Sequence, residues 1–460
     1  MKLNFTEYRP RKIDYILLLL TILAITNYNI IVAKVIGVIF TVSSIYFIFS
    51  KNLRGYFIIL LLNSYNSNGF GVYNLDLLGF SPIYFTHLLL IITHFRFIRL
   101  GKKLIYYFPL IIFFPLYIIF GYYNKWDQIY FLKDLLRFSV FFSSLFVFSS
   151  NNIRTIFFES LLKYFIYLFP LLLIITAVLS PSIVLGQEKN AFFDELNSLF
   201  IILIFSIIYS IKIKNSILYW ILFILLVVLK MSFFYFASIE ILALIILVLI
   251  LTLKKTKSFI NLIKSIIFLL LLSVLAYSIL PLIPGFTLFK FVQLSDILII
   301  FINNSDNPLL FMPFSPKIRI LELMNSYAGL SSKSLLHLIF GDGFGSFFQL
   351  HYYPVEDYGI PTLYNTGSYS DYEIQQNKFF TAHNTFSFII SKMGLLSVFV
   401  FLRIFVINII KYIKNDTTND PVIPVFSIYI IMNLGYGIKN FIVIAFMICY
   451  LIYERKKTAL

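Results

Sequence analysis

The chain has very little cysteine. Cys449 is the single cysteine among 460 residues, and it lies in the last apolar run of the sequence. One thiol excludes a disulfide within the chain and a metal site built from several thiolates. It leaves the cellular compartment open.

Charged residues are also scarce. They make up 13% of the chain, against 60% hydrophobic residues and a mean hydropathy of +0.90. Apolar runs of the roughly 20 residues needed to cross a bilayer recur from Tyr15 to the C-terminus. The composition therefore predicts an all-α polytopic membrane protein. The first run has a basic flank but no small-residue cleavage site after it, so we expect a retained first span.

The basic residues have a regular distribution. A net charge of +16 would suggest a nucleic-acid partner in a soluble protein, but here Lys and Arg cluster between apolar runs. Clusters of this kind mark cytoplasmic loops under the positive-inside rule. We therefore expect no nucleic-acid partner, a lipid bilayer around the chain and both termini in the cytoplasm.

With each basic cluster placed inside, about 12 to 14 transmembrane helices are predicted. Residues 1–283 would form a bundle of about eleven spans, and residues 383–460 the C-terminal spans. The predicted span centres lie near 20, 40, 60, 88, 112, 140, 168, 203, 222, 244, 272, 395, 428 and 446.

Residues 284–382 are predicted to form one large loop on the external side of the membrane, periplasmic or extracellular. This segment contains turn residues, no spanning run, and eight acidic against five basic residues. Its aromatic and aliphatic content argues against disorder. We expect short helices at "SPKIRILELMNSYAG" and "SKSLLHLIFG".

Three groups of polar residues fall on this external side. Arg319 lies in "PFSPKIRILELMN", and His383 and Asn384 head the apolar run "AHNTFSFIISKMGLL". Between them, "FGDGFGSFF" contains Gly341, Gly343 and Gly345.

In this order, with Gly394 eleven residues after His383, the three groups resemble the motifs of the O-antigen polymerase and O-antigen ligase superfamily. Upstream, "LGQEKNAFFDELNSLFIIL" is similar to the family's loop in which an asparagine, here Asn190, precedes a span. The chain differs from the family pattern at Lys392, where an acidic residue is usual, and at Ser397, where a second glycine is usual.

The resemblance implies a GT-C-like membrane glycosyltransferase of the bacterial inner membrane, whose donor is an oligosaccharide linked to undecaprenyl diphosphate. His383 would be the general base, since histidine can be neutral and basic near pH 7. Arg319 would hold the diphosphate, because guanidinium presents a fork of donors to phosphate oxygens. We expect no cofactor and no metal.

Further residues are candidates for substrate binding. Arg137 lies near the outer end of a predicted span, where cations are scarce. The other candidates are Lys189, Asn190, Lys230, Asn384, Gly341, Gly343 and Gly345. Purely structural roles stay open. Arg319 could pair with Glu322, Arg137 could pair with Asp134, and the role of the glycines could be limited to shaping a tight turn.

Three functions fit these features. The first is a polymerase that transfers a growing glycan from undecaprenyl diphosphate to the next lipid-linked repeat unit, and a chain-length-regulating membrane co-polymerase is a compatible partner. The second is ligase-type transfer of the glycan to a lipid A core or another acceptor. The third is a flippase for lipid-linked oligosaccharides, which the long external loop disfavours.

Overall fold

The structure is a computed structural model that describes residues 108–124, 127–163, 307–360, 371–380, 384–414, 422–436 and 441–453, with a few further residues such as Tyr369 and Ala382. Regular structure within these ranges is helical. No strand forms there, and the extended contacts are limited to one antiparallel bridge between Phe348 and Phe379.

Three helices come first in the described chain: α1 (Leu110–Tyr123), α2 (Gln128–Phe148) and α3 (Asn151–Lys163). Asp127 begins α2, because its Oδ1 atom accepts hydrogen bonds from the amides of Ile129 and Tyr130 at 2.9 and 3.2 Å.

The long loop contains α4 (Pro308–Phe311), α5 (Phe314–Lys333), α6 (Leu335–Phe340), a 3₁₀ turn (Glu356–Tyr358) and α7 (Asp371–Gln376). The two helices predicted for this loop are therefore confirmed as α5 and α6. Ser334 separates them with an extended backbone, and its hydroxyl accepts from the His337 amide at 3.3 Å to start α6.

This segment has its own apolar core. The core joins α5 to the chain that follows the glycines, through the buried side chains of Ile318, Leu321, Phe348, Leu350, Val355, Ile360, Tyr369 and Phe379. The described part of the long loop is thus folded, as its apolar content predicts.

Helices α8 (Thr385–Lys414), α9 (Val422–Tyr436) and α10 (Phe441–Tyr453) follow. Helix α8 packs against α5, α6 and α9, and α10 packs against α2. A break at Gly394 divides α8. The 20 residues from 395 to 414 extend about 30 Å at helical rise.

Among the described helices, α8 alone combines the length and apolar composition needed to cross a bilayer. Helix α1 and residues 442–453 of α10 are apolar but shorter. Predicted span centres 112, 140, 395, 428 and 446 lie inside α1, α2, α8, α9 and α10. The other nine lie outside the described residues.

The contact between α2 and α10 is largely apolar. Phe446 packs edge-on against Phe148 at the end of α2 and against Phe157 of the adjacent α3, with ring centroids 5.4 and 4.6 Å apart. Cys449 is buried, and its Sγ atom donates to the Leu145 carbonyl at 3.1 Å.

Candidate functional site

The segment from Gly341 to Gly345, here called the glycine turn, contacts α1, α2 and α8. Its three glycines all have positive φ, between 76° and 84°. Space also requires glycine there: a Cβ atom on Gly341 would lie 2.5 Å from the Lys392 backbone, and one on Gly343 would lie 2.5 Å from the amide nitrogen of Gly121. The prediction that the glycines shape a tight turn is confirmed.

The side chain of Phe344, between the second and third glycines, anchors the turn. Phe344 is fully buried and stacks on Phe138 of α2, with ring centroids 4.9 Å apart. Its amide donates to the Tyr117 carbonyl of α1 at 3.0 Å. The turn is therefore held to α1 and α2 by both backbone and side chain.

The break in α8 provides acceptors for the turn. Gly394 has φ 68° and ψ −176°, which is outside helical geometry. The carbonyls of Ser391 and Lys392, just before this break, accept from the amides of Asp342 and Gly343 at 2.9 and 3.1 Å.

Other amides of the turn also donate within the protein. The Gly341 amide donates to the His337 carbonyl at 2.7 Å, and the Gly345 amide donates to Asp134 Oδ2 at 2.8 Å. Residues 341–345 thus use their amides to hold the fold together. Substrate binding by these glycines stays a prediction.

A buried ion pair lies beneath the turn. Lys392 Nζ is 2.9 Å from Asp134 Oδ2, and the two side chains are 0% and 4% exposed. Lys392 also donates to the Ser346 carbonyl. One carboxylate on α2 therefore connects the glycine turn to α8, and each charge has partners that offset the cost of burial.

The candidate cation Arg137 is half-buried on α2, one helical turn after Asp134. It lies within electrostatic range of Lys392. Asp134 itself is bound to Lys392 and Gly345, so the carboxylate proposed as a structural partner of Arg137 has other contacts.

Asn384 connects α5 to the start of α8. Its Nδ2 atom donates to the Arg319 carbonyl at 2.8 Å and to Glu322 Oε2 at 3.2 Å. Its Oδ1 atom accepts from the Ser387 amide at 2.6 Å, which caps α8. Two motif residues 65 positions apart in sequence are thus in contact.

Glu322 is fully buried and accepts from Tyr369 as well as from Asn384. Burial, with the negative charge of Glu322 beside it, raises the pKa of the Tyr369 hydroxyl well above its ordinary value. Tyr369 is therefore a neutral donor at physiological pH. Both oxygens of Glu322, the structural partner considered for Arg319, accept from these two residues.

A second charged cluster lies at the other end of α5. Asp342 is 3% exposed, with its Oδ1 atom 2.7 Å from His337 Nδ1 and its Oδ2 atom paired with Lys333. Because Asp342 lies in the glycine turn, its side-chain contacts tie the ends of α5 and α6 to that turn. Its amide also donates to the Ser391 carbonyl of α8.

The structure brings Arg319, Asn384, Arg137 and the three glycines around the first part of α8. His383 directly precedes Asn384 in sequence and lies outside the described residues, as do Lys189, Asn190 and Lys230. Their roles stay predictions.

Sequence reasoning missed the Lys392–Asp134 pair. Lys392 was noted only as a departure from the family pattern, and Asp134 only as a potential partner of Arg137. The available signal was an acidic residue in one apolar segment and a lysine in another, since buried charges of opposite sign are usually paired.

In the described part of the chain, no group of three or more His, Cys, Asp or Glu side chains is arranged to hold a metal ion. Metal-independent chemistry stays a prediction.

No protein-family model, curated protein or solved structure matches this chain.

Proposed function

We propose that this chain is a polytopic membrane glycosyltransferase that polymerises a bacterial surface polysaccharide. It transfers a growing glycan from undecaprenyl diphosphate to the next lipid-linked repeat unit, on the external side of the inner membrane. The apolar composition, the basic clusters between apolar runs and the bilayer-length helix α8 support the membrane placement.

One contact carries the proposal. Asn384, the second residue of the "HN" pair, donates to the backbone of Arg319 at 2.8 Å. The predicted base and the predicted diphosphate-binding arginine therefore belong to chain segments that meet at the start of α8. Two motif pieces with separate chemical tasks must meet in this way to act on one bond.

The reaction requires a proton acceptor and cations. A hydroxyl of the acceptor sugar attacks the anomeric carbon of the donor, its proton passes to His383, and the bond from that carbon to the diphosphate oxygen breaks. Arg319 and Arg137 offset the negative charge that develops on the departing undecaprenyl diphosphate. No step in this scheme consumes a cofactor.

Gene deletion tests the function in cells. Loss of a polymerase leaves single repeat units on the cell surface, because export and attachment of one unit continue. Gel analysis of surface glycan and of carrier-linked glycan would show this pattern. Long glycan accumulating on the lipid carrier would instead establish the ligase function, and unchanged surface glycan would refute both.

Restoring the gene supplies the matched control. Wild-type protein should restore long chains, whereas Arg319→Lys, which keeps the charge but loses the planar fork of donors, should not. Immunoblotting of membrane fractions shows whether both proteins are present in equal amount. Full restoration by Arg319→Lys would show that the mechanism does not need the planar fork of Arg319.

A further inference from the structure

A cleft lies between the second half of α5 and residues 347–352. Together with the open solvent at its mouth, it encloses about 410 Å³. Its lining includes Ser326, Gly329, Lys333, Asp342, Gln349 and Tyr352. Arg319 and Arg137, the described residues proposed to hold the diphosphate, do not line it, so it needs its own explanation.

The cleft offers hydrogen-bonding groups of both kinds. Ser326 is 2% exposed, and its hydroxyl has no hydrogen-bond partner among the described residues. That hydroxyl is itself enclosed, so the groups open to a ligand are the half-buried Gln349 amide, which is both a donor and an acceptor, and the ammonium group of Lys333. Lys333 and Asp342 are paired at one end, which adds donors and acceptors with little net charge.

An aromatic surface forms one wall. The His351 and Tyr352 rings lie with centroids 3.8 Å apart, and the Tyr352 hydroxyl is 2.6 Å from Ser332 Oγ on α5. These contacts fix the tyrosine ring, while 39% of Tyr352 stays exposed. A flat apolar surface is thus held ready beside polar groups.

This combination selects for one ligand chemistry. A pyranose ring has a face of C–H groups and a rim of hydroxyls, so it fits an aromatic wall next to mixed donors and acceptors. The Asp342 carboxylate offsets the charge of Lys333, which removes the net attraction for a phosphate, and the polar lining disfavours an acyl chain. We propose that this cleft binds a sugar residue of the lipid-linked repeat unit.

The position of the cleft suits that ligand. Ser326 is seven residues after Arg319 on α5, which places the cleft about 10 Å along the helix from the arginine. An oligosaccharide can extend across this distance with one end at the reacting bond. The inference rests on the proposed glycan transfer, and it adds a subsite that holds the sugar away from the reacting bond.

Binding of free sugar tests the subsite without any transfer reaction. The probe is the repeat-unit oligosaccharide released from its lipid carrier by mild acid, and the protein is the full chain in lipid nanodiscs. Saturation-transfer NMR reports the affinity. We expect wild-type protein to bind the probe and Tyr352→Ala to bind it about tenfold more weakly, since one aromatic stack is lost.

Three further variants separate stacking from general damage. Tyr352→Phe keeps the ring and should retain binding, and Tyr327→Ala removes an exposed tyrosine from α5 outside the cleft and should change nothing. Gly329→Ala adds a methyl group 3.7 Å from the Tyr352 ring, an ordinary contact that leaves the helix intact. It should weaken binding by narrowing the cleft, which tests the site even if Tyr352→Ala misfolds.

Kinetics show which glycan occupies the cleft. If it holds the acceptor, Tyr352→Ala should raise KM for the single repeat unit on its carrier. If it holds the donor, the same variant should raise KM for the long carrier-linked chain. An unchanged KM for both glycans would overturn the proposal.

The outcomes also distinguish this inference from the proposed function. Oligosaccharide binding that depends on Tyr352, without any transfer, would retain the sugar site and refute the polymerase. Transfer with undiminished binding in Tyr352→Ala and Gly329→Ala would retain the polymerase and refute the cleft. Absence of probe binding to wild-type protein would refute the cleft as well.

Discussion

The two parts of α8, residues 385–393 and 395–414, are built differently. The first part contains buried Lys392, a polar cap at Asn384 and carbonyls that accept from the glycine turn. The second part presents exposed apolar side chains such as Phe399 at 66% and Ile410 at 45%. The helix thus makes polar contacts with neighbouring segments before Gly394 and exposes apolar side chains after it.

The two parts of α8 therefore contribute to the fold through different kinds of contact. Apolar contacts are non-directional, so many apolar residues can serve in the second part. Ion pairs and hydrogen bonds fix direction and distance, and in the first part they connect α2, α5 and the glycine turn to one place. Substitutions in the first part should therefore have larger effects on stability.

The largest effect on stability should come from breaking the buried ion pair. Lys392→Met leaves the Asp134 carboxylate buried without its cation, and we expect a loss of about 3 to 5 kcal/mol. Thermal unfolding of purified protein in detergent would show this as a strongly lowered apparent Tm.

A second substitution sharpens that test. Asp134→Asn in the Lys392→Met background removes the uncompensated charge, while its amide oxygen can still accept from Gly345. The double variant should recover most of the lost stability. A double variant as unstable as Lys392→Met would show that the charge pair is not the cause.

The next largest effect should come from the break in α8. At Gly394 an added Cβ atom would overlap the Ile339 carbonyl, and its positive φ disfavours any side chain. We expect Gly394→Ala to cost roughly 2 to 4 kcal/mol. Phe399→Ala, five residues later on an exposed face, is the control and should shift the apparent Tm little. Equal shifts would remove the distinction between the two parts.

A smaller effect should appear at alkaline pH. Burial and the charge of Glu322 raise the pKa of Tyr369 in the folded protein. The folded protein therefore binds the hydroxyl proton of Tyr369 more tightly than the unfolded chain does. The stabilisation is complete below pH of about 10, the unfolded pKa, and is lost as pH rises through the folded pKa. Wild-type Tm should therefore fall more steeply above this pH than that of Tyr369→Phe.

Tyr372→Phe is the matched control, because Tyr372 is 51% exposed on α7. It should retain the alkaline slope of wild-type protein. A slope that Tyr369→Phe leaves unchanged would contradict the buried Tyr369–Glu322 contact.

Local sequence features predicted the local structure well. Helices α5 and α6 and the tight glycine turn all follow from residue spacing, Ser and Pro starts and glycine content. The order of the motifs grouped Arg319 with Asn384 but did not predict the contact between them.

Long-range pairings could not be predicted in the same way. Asp134 and Lys392 are far apart in sequence, and nothing near either residue specifies the other. The turn amides donate to carbonyls of α8 that lie next to the break at Gly394, and this pairing is visible only once the helix break is known.

Elongation of a defined undecaprenyl-diphosphate-linked repeat unit by purified protein tests the central claim most directly. The account predicts that wild-type protein forms long glycan, that His383→Ala forms none and that Arg319→Lys is severely impaired, with all three proteins folded and inserted. Wild-type elongation matched by both variants would contradict the proposed site, and failure of wild-type protein to elongate the unit would contradict the proposed function.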